Sequence, residues 1–537
     1  MALDTLILNA SVIDGLGKPR YKADIGIQNN HIEVIGNLKE AVSKQKIDAS
    51  GLVVSPGFID MHSHSDVTLL DDPRGESKIH QGVTTEVTGN CGTTPYPSGI
   101  YTGIELREQL PIHPLPESPS SWPWQTLDGW ATYLEETGIG INLVPQVGHT
   151  TIKYAAGVPN DRPATEDELG FMKRLSAESI EQGAVSLTNG LTGPNFTFAP
   201  TSEIVSLIEA IKPYNNTFYA SHARLGTGQH FKAVEEAIAI GNQCNIPVQF
   251  SHIAITDSNY HGRAAELVSL IEKARSSGLD ITYDVYPYTA AGVSLRNLLP
   301  QWMEIGGALD TQAKLCQPEL RVKASKELEK ESPGSGPWRW DGIVISKVSS
   351  TGDSSNIGKS LEEISAQRSS TPLETLFDLI LEDGNIECVF HNRNETDVQY
   401  FVSHQLSMIG TDGMAISPQG IWGPTKINPR FYGSYPRILG RYVRDYNLIS
   451  LEDAIHKMSG FPAQRLNLKN RGMIVEGCVA DIVIFNPDTI IDNATFEDPH
   501  QYPEGIHYVF LNGKKIISEG HHTGALAGKI LRRGSMQ

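Results

Sequence analysis

Two hydrophobic periodicities divide this chain. Near its start, four short β-type runs lie between turns: Thr5–Asn9, Asp24–Gln28, His31–Ile35 and Leu52–Ser55. The same grain returns within residues 472–518, in Ala480–Phe485 and His507–Gly513. Strands at both ends around a different middle predict that the termini pair into one small β unit. Between them, strand-like apolar runs alternate with helical stretches, as βα repeats do. Helices are expected over Glu166–Gln182 and Phe231–Asn242, the latter with Phe231, Val234, Ala237 and Ile238 on one face.

Many of the middle runs end in a polar residue followed by a loop: Ile59–His64, Thr85–Cys91, Leu143–His149, Val185–Asn189, Phe218–His222, Val248–His252, Ile281–Tyr286 and Met408–Asp412. In a (β/α)8 barrel the chemistry sits at those C-terminal ends. Val389–His391 is strand-like too, which makes one candidate too many for eight places. Residues from about 290 to 350 break the rhythm with Gly306-Gly307, a charged helix at Glu319–Glu331 and the loop from Ser332 to Pro337. That stretch reads as an insertion over the barrel mouth, a lid in form.

At 537 residues the chain has room for a large barrel with an appended domain. Its 39% hydrophobic and 20% charged residues are those of a globular protein. A formal charge of −18 argues against a nucleic-acid partner. Five scattered cysteines do not form a disulfide framework and point to a reducing compartment. The N-terminus has no basic n-region, and no apolar stretch is long enough to span a membrane. The expected location is cytoplasmic; the oligomeric state is left open.

The candidate chemistry begins at Gly57–His64. If Phe58 to His64 continues as a strand, His62 and His64 share one face and can hold one ion. Cys91 closes another run between Gly89 and Gly92, and His222 and His252 each end a strand as part of a Ser-His pair. One thiolate, two imidazoles and an open fourth position suit a catalytic zinc site. Asp412 closes the last run and is the natural carboxylate of the cluster.

These motifs, taken with Gly82–Thr85, Asp284–Tyr288, Phe431–Arg437, Arg471-Gly472 and Ala480-Asp481, run in order along the whole chain. Together they resemble the N-acyl-D-amino-acid deacylases (D-aminoacylases) of the amidohydrolase superfamily. The resemblance implies an α/β fold: a distorted (β/α)8 TIM barrel over 57–467 and a β-sandwich from 1–56 and 468–537. The insertion at about 290–350 then lies near the active site. It also implies that Cys91, His222 and His252 hold a tight Zn²⁺, while His62, His64 and Asp412 form a second, weaker position. Asp412 would act as general base and then acid in hydrolysing a linear amide of a small N-acyl substrate. Arg430 and Tyr286 would bind that substrate.

The departures cluster in the substrate pocket. The family's Ser-His-Leu-Lys is here Ser251-His252-Ile253-Ala254, so a lysine expected at the substrate carboxylate is missing. Ala290–Val293 stands where serines are usual, and Asn428-Pro429-Arg430 replaces His-Pro-Arg. Gly193 corresponds to a family tyrosine. An esterified, amidated or larger N-acyl substrate therefore remains in play. A cyclic amidase would share the barrel but use a bridging lysine, and Ser186–Gly190 has none. A non-catalytic scaffold tends to lose such ligands, and no Gly-x-Ser-x-Gly elbow supports a serine hydrolase. Gly226-Thr227-Gly228 lacks the third glycine of a dinucleotide loop.

Overall fold

The computed structural model describes residues 3–109, 115, 119–350 and 352–534. The two ends of the chain meet in one nine-stranded sheet. Its order is His521–His522, Lys514–Ser518, Ile506–Leu511, Ile482–Phe485, Val53–Pro56, Leu3–Val12, Tyr21–Gln28 and His31–Gly36, with Ser43–Asp48 paired to Leu3–Val12. Ile482 to Phe485 runs antiparallel against Pro56 to Val53, so the expected pairing of the termini is present in hydrogen bonds. Alternation decides where each side chain goes. Ile482 and Ile484 join Ile7, Val12, Ile25 and Val54 in one cluster, whereas Val483 and Phe485 face the other way into the main core.

The middle of the chain holds two parallel sheets. One contains Phe58–Asp60, Val83–Thr88 and Asn142–Pro145; the other runs Val147–Gly148, Ser186–Gly190, Phe218–His222, Val248–Phe250, Ile281–Val285 and Ser407–Ile409. Only Gln146 separates the strands at their junction, so nine segments make eight runs. At the opposite edges Ser63 bridges Gly413 in parallel, and the Asp412 N–H donates to the His62 carbonyl at 2.8 Å. Nearly every residue of these strands is buried, as expected of sheet covered on both faces. Helices alternate with these strands along the chain and pack against them. Glu166–Glu181 begins in a capping box of Thr165 and Glu168, and His230–Cys244 buries Ala233, Val234, Ala237 and Ile240.

The surplus strand is explained by a third, antiparallel sheet. Glu387–Phe390 lies between Ala291–Ser294 and Ile343–Lys347. It shares a separate apolar cluster with Leu295, Met303, Leu328, Ile345 and Phe377. That cluster extends beyond residue 350, so Val389 and Phe390 belong with the inserted region and not with the parallel strands. No helix among the described residues is long and apolar enough to cross a membrane.

Candidate metal centre and cavity

Six donor side chains from separate strand ends meet in one place. Cys91 Sγ lies 3.3 Å from His62 Nε2, 3.2 Å from His222 Nδ1 and 3.4 Å from His252 Nε2. His222 Nδ1 and His252 Nε2 are 2.7 Å apart. Asp412 Oδ1 stands 3.0 Å from His64 Nε2 and 3.5 Å from His62 Nε2. Two donor groups result: His62, His64, Cys91 and Asp412, and Cys91, His222 and His252, each with donor atoms within 4.8 Å of one another. The thiol belongs to both, a feature that spacing along the chain does not disclose.

Local backbone geometry makes this convergence possible. Cys91, His252 and Asp412 have positive φ angles of 54°, 35° and 47°. For a Cys or His that conformation costs of order 1–3 kcal/mol, and it persists where the surrounding structure over-determines it, most often at functional sites. Close approach also needs glycine, because a Cβ on Gly190 would sit 2.2 Å from the Cys91 carbonyl oxygen.

The donors are held from behind. His62 Nδ1 is 3.0 Å from Asp284 Oδ1, which also accepts from the His252 N–H at 2.7 Å. With Asp284 accepting, Nδ1 carries the proton and Nε2 keeps a free lone pair toward Cys91. Deeper still, Lys78 Nζ reaches Asp60 Oδ2 and Glu86 Oε1, both at 2.8 Å, with all three side chains fully buried. Asp60 then accepts from the N–H groups of His62 at 3.1 Å and Thr411 at 2.9 Å, which ties two donor-bearing strand ends together.

The local charges are strongly coupled. Burial pushes the Cys91 thiol up, yet His222, His62 and His252 outweigh it and hold the group well below its ordinary value. Burial opposes ionisation of Asp412 as well, but Arg430, His62 and His64 keep it well below the usual carboxylate range. Burial lowers His64, while Asp412 and Cys91 overcome this and raise it to about 9. A thiolate, a carboxylate and imidazoles with lone pairs aimed at common points form a donor set that fits Zn²⁺.

A cavity of about 710 Å³ opens from these donors. His222, His252, Asp412 and Tyr286 line its inner end, and Trp302, Glu304, Leu328 and Gly334 of the inserted region form an outer wall. The Tyr286 hydroxyl is buried without a hydrogen-bond partner. Its ring lies 4.5 Å from the Arg430 guanidinium carbon, and Arg430 Nη1 is 3.2 Å from Asp412 Oδ2. The two expected substrate-binding residues thus stand beside the expected base.

Comparison with known proteins now decides the lineage. A family described as "Amidohydrolase family" matches residues 45–184 and 393–517. The D-aminoacylase of Alcaligenes xylosoxydans xylosoxydans is 32% identical over 531 residues, covering 99% of this chain and 98% of that protein. The chain belongs to the D-aminoacylase family of amidohydrolases. A solved D-aminoacylase, studied for one-metal activation and second-metal attenuation of its binuclear centre, is 30% identical with a TM-score of 0.82. That match covers 99% of this chain and 100% of the other. The N-acyl-D-glutamate deacylase of Bordetella bronchiseptica, solved with zinc and a phosphonate mimic of the tetrahedral intermediate, is 27% identical with a TM-score of 0.80 over 99% and 100% of the two chains.

Within this D-aminoacylase-family chain, most of the departures line the cavity. Ala254 and Gly193 line it, as do Ala291 and Gly292. A Cβ on Gly292 would come within 3.8 Å of Arg430 Nη2, so the space beside that guanidinium is open. Asn428 accepts from the Arg430 N–H at 3.1 Å and donates to the Ala290 carbonyl at 2.8 Å. Four residues here escape a reading by motif. Asp284 lies inside a recognised motif but shows no role there. Lys78 and Glu86 look like ordinary surface charges. Arg393 sits in the polar stretch Asn392-Arg393-Asn394 and lines the cavity.

Proposed function

We propose that this protein is a zinc-dependent amidohydrolase that removes the acyl group from an N-acyl-D-amino acid or a related linear N-acyl compound. The observation that carries this reading is the pair of donor groups sharing Cys91, with Asp412 in one of them and an open cavity beside both. Cys91, His222 and His252 would hold the tight metal; His62, His64 and Asp412 would complete a second, weaker position. The eight parallel runs are read as a distorted (β/α)8 barrel over about 57–467. The segments 1–56 and 468–537 are read as its β-sandwich companion, of which residues 1, 2 and 535–537 lie outside the described structure.

Zinc, when bound, lowers the pKa of a coordinated water toward about 7 and polarises a carbonyl. The side chains do the rest. Asp412 accepts a proton on its carboxylate and returns it to the departing nitrogen, serving in two roles. His64, 3.0 Å away, fixes one carboxylate oxygen. Arg430, through its unpartnered Nε, and Tyr286, through its hydroxyl, offer donors to the substrate beside Asp412. The inserted region closes the outer wall and limits access of water.

Elemental analysis of the purified protein and turnover on paired N-acyl-D- and N-acyl-L-amino acids test this reading. Tightly held zinc and hydrolysis of the D series are expected. Asp412→Asn should keep the zinc of the Cys91, His222 and His252 group while kcat falls about 10²–10⁴-fold. A variant that retains more than about a tenth of the rate has lost no general base, and the assignment of Asp412 goes with it.

A further inference from the structure

We propose that Arg393 supplies the positive charge that Ala254 withholds, so that the substrate is a free acid whose α-carboxylate is held between Arg393 and Arg430. This rests on the deacylase reading and specifies its substrate. Arg393 Nε is buried with no hydrogen-bond partner. Among the described residues no carboxylate lies within ion-pair distance of its guanidinium. The residue is anchored through its backbone, whose N–H donates to the Thr289 carbonyl at 3.1 Å. Its guanidinium carbon is 4.2 Å from the centre of the Tyr286 ring, and that of Arg430 is 4.5 Å from the same centre.

Two cations are therefore gathered around one tyrosine; Tyr286 and Arg393 line the cavity together with His222, His252 and Asp412, and Arg430 adjoins it through Asp412. Removing a cation from water without a counter-ion is costly, and a second cation nearby adds repulsion. Burial and Arg430 both disfavour the charge on Arg393. The Tyr286 π face offsets part of that cost. Asp412 is already engaged by Arg430 and His64, so it balances only one of the two guanidinium charges. An arriving carboxylate supplies the missing negative charge, and the planar fork of arginine matches it with paired donors. A neutral ester leaves the excess charge unanswered. The lost lysine thus does not mean a lost carboxylate, because the same charge arrives from a different part of the chain.

The zinc-loaded enzyme, Arg393→Met and Arg393→Lys are compared on one N-acetyl-D-amino acid with an apolar side chain and on its methyl ester. The wild type should favour the acid by at least about tenfold in kcat/KM, the minimum expected from one charge-assisted contact. Arg393→Met should raise KM for the acid about 10- to 100-fold with kcat changing much less, and the acid-to-ester ratio should collapse. Arg393→Lys should recover a large part of that ratio. A wild type indifferent to esterification overturns the proposal, as does an Arg393→Met variant that folds and loses acid and ester in equal proportion. If neither compound is hydrolysed, the deacylase reading fails by itself. Calorimetric binding of the same acid and ester to zinc-loaded Asp412→Asn, with and without Arg393→Met, then decides the carboxylate claim. Tighter binding of the acid that depends on Arg393 supports it, and equal binding ends it.

Discussion

Two cations of this molecule's central region, Lys78 buried and Arg393 half-buried, are built on opposite principles. Lys78 is fully enclosed and touches two carboxylates, Asp60 and Glu86, as well as the Thr411 hydroxyl at 2.5 Å. Arg393 is half-buried against Tyr286 and touches no carboxylate among the described residues. The first is satisfied within the fold and serves as a tie between strand ends. The second is left open toward the cavity, where an arriving anion can pair with it. Pairing within the fold separates a structural cation from one that recognises an anion.

Breaking the paired cation should have the largest effect on stability. Lys78→Met leaves Asp60 and Glu86 without a counter-ion in a dry interior, a loss of about 3–5 kcal/mol. Urea unfolding, or half-life at elevated temperature if unfolding is irreversible, should show the loss clearly. Arg393→Met removes a charge that had no partner, so the same measurement should show no loss or a small gain. Equal destabilisation by both substitutions would erase the distinction.

Next in size is the support behind His62. Asp284 holds the His62 proton at 3.0 Å and accepts from Gln249 Nε2 at 3.0 Å through its other oxygen. Asp284→Asn keeps the shape but removes the charge and turns an amide group toward another donor. A drop in zinc affinity of about 10–100-fold is expected, the range typical when the partner of a metal-binding histidine is changed. Competition with a chromophoric chelator reads it directly. Unchanged affinity would mean that packing alone orients His62.

How much of this was legible beforehand depends on what each residue's signal was. Eight runs with polar ends marked the parallel strands, and His62, His64, Cys91, His222, His252 and Asp412 all meet where those runs finish. Glu387–Phe390 misled because a short apolar run has the same appearance in a parallel strand as in an antiparallel one. The double membership of Cys91 depends on a backbone turn with φ of 54°, which no spacing rule announces. Lys78 lies in the short helix Glu76–Ile79, whose composition reads as a solvated face, yet it is 0% exposed. Arg393 lies two residues beyond Val389–His391, the strand-like run that is one too many for eight places. Its value emerges only once the inserted region is seen to deliver it to the cavity.

The smallest expected effect concerns an acid on the opposite wall. Glu304 is only 8% exposed. Burial pushes its carboxyl up to about 8, with Arg296 only partly opposing the shift. Arg296 Nε has no hydrogen-bond partner, so attraction between the two is incomplete. Glu304 therefore tests the comparison from the side of negative charge, as a buried acid that avoids unpaired charge by holding its proton. Because the folded protein binds that proton more tightly than the unfolded chain, the contribution to stability is complete below the ordinary carboxylate pKa. It is lost as pH rises through about 8. Glu304→Gln should flatten this part of the stability profile and be the more stable form at alkaline pH. A difference of roughly 2–5 °C in melting temperature is expected after allowing for water in the cavity. A wild type and Glu304→Gln pair with parallel profiles from mildly acidic to alkaline pH would show that Glu304 is ionised throughout. The cavity lined by Arg393 would then carry a negative charge as well, and its preference for a carboxylate substrate would have to be weaker than the pairing of Arg393 and Arg430 around Tyr286 implies.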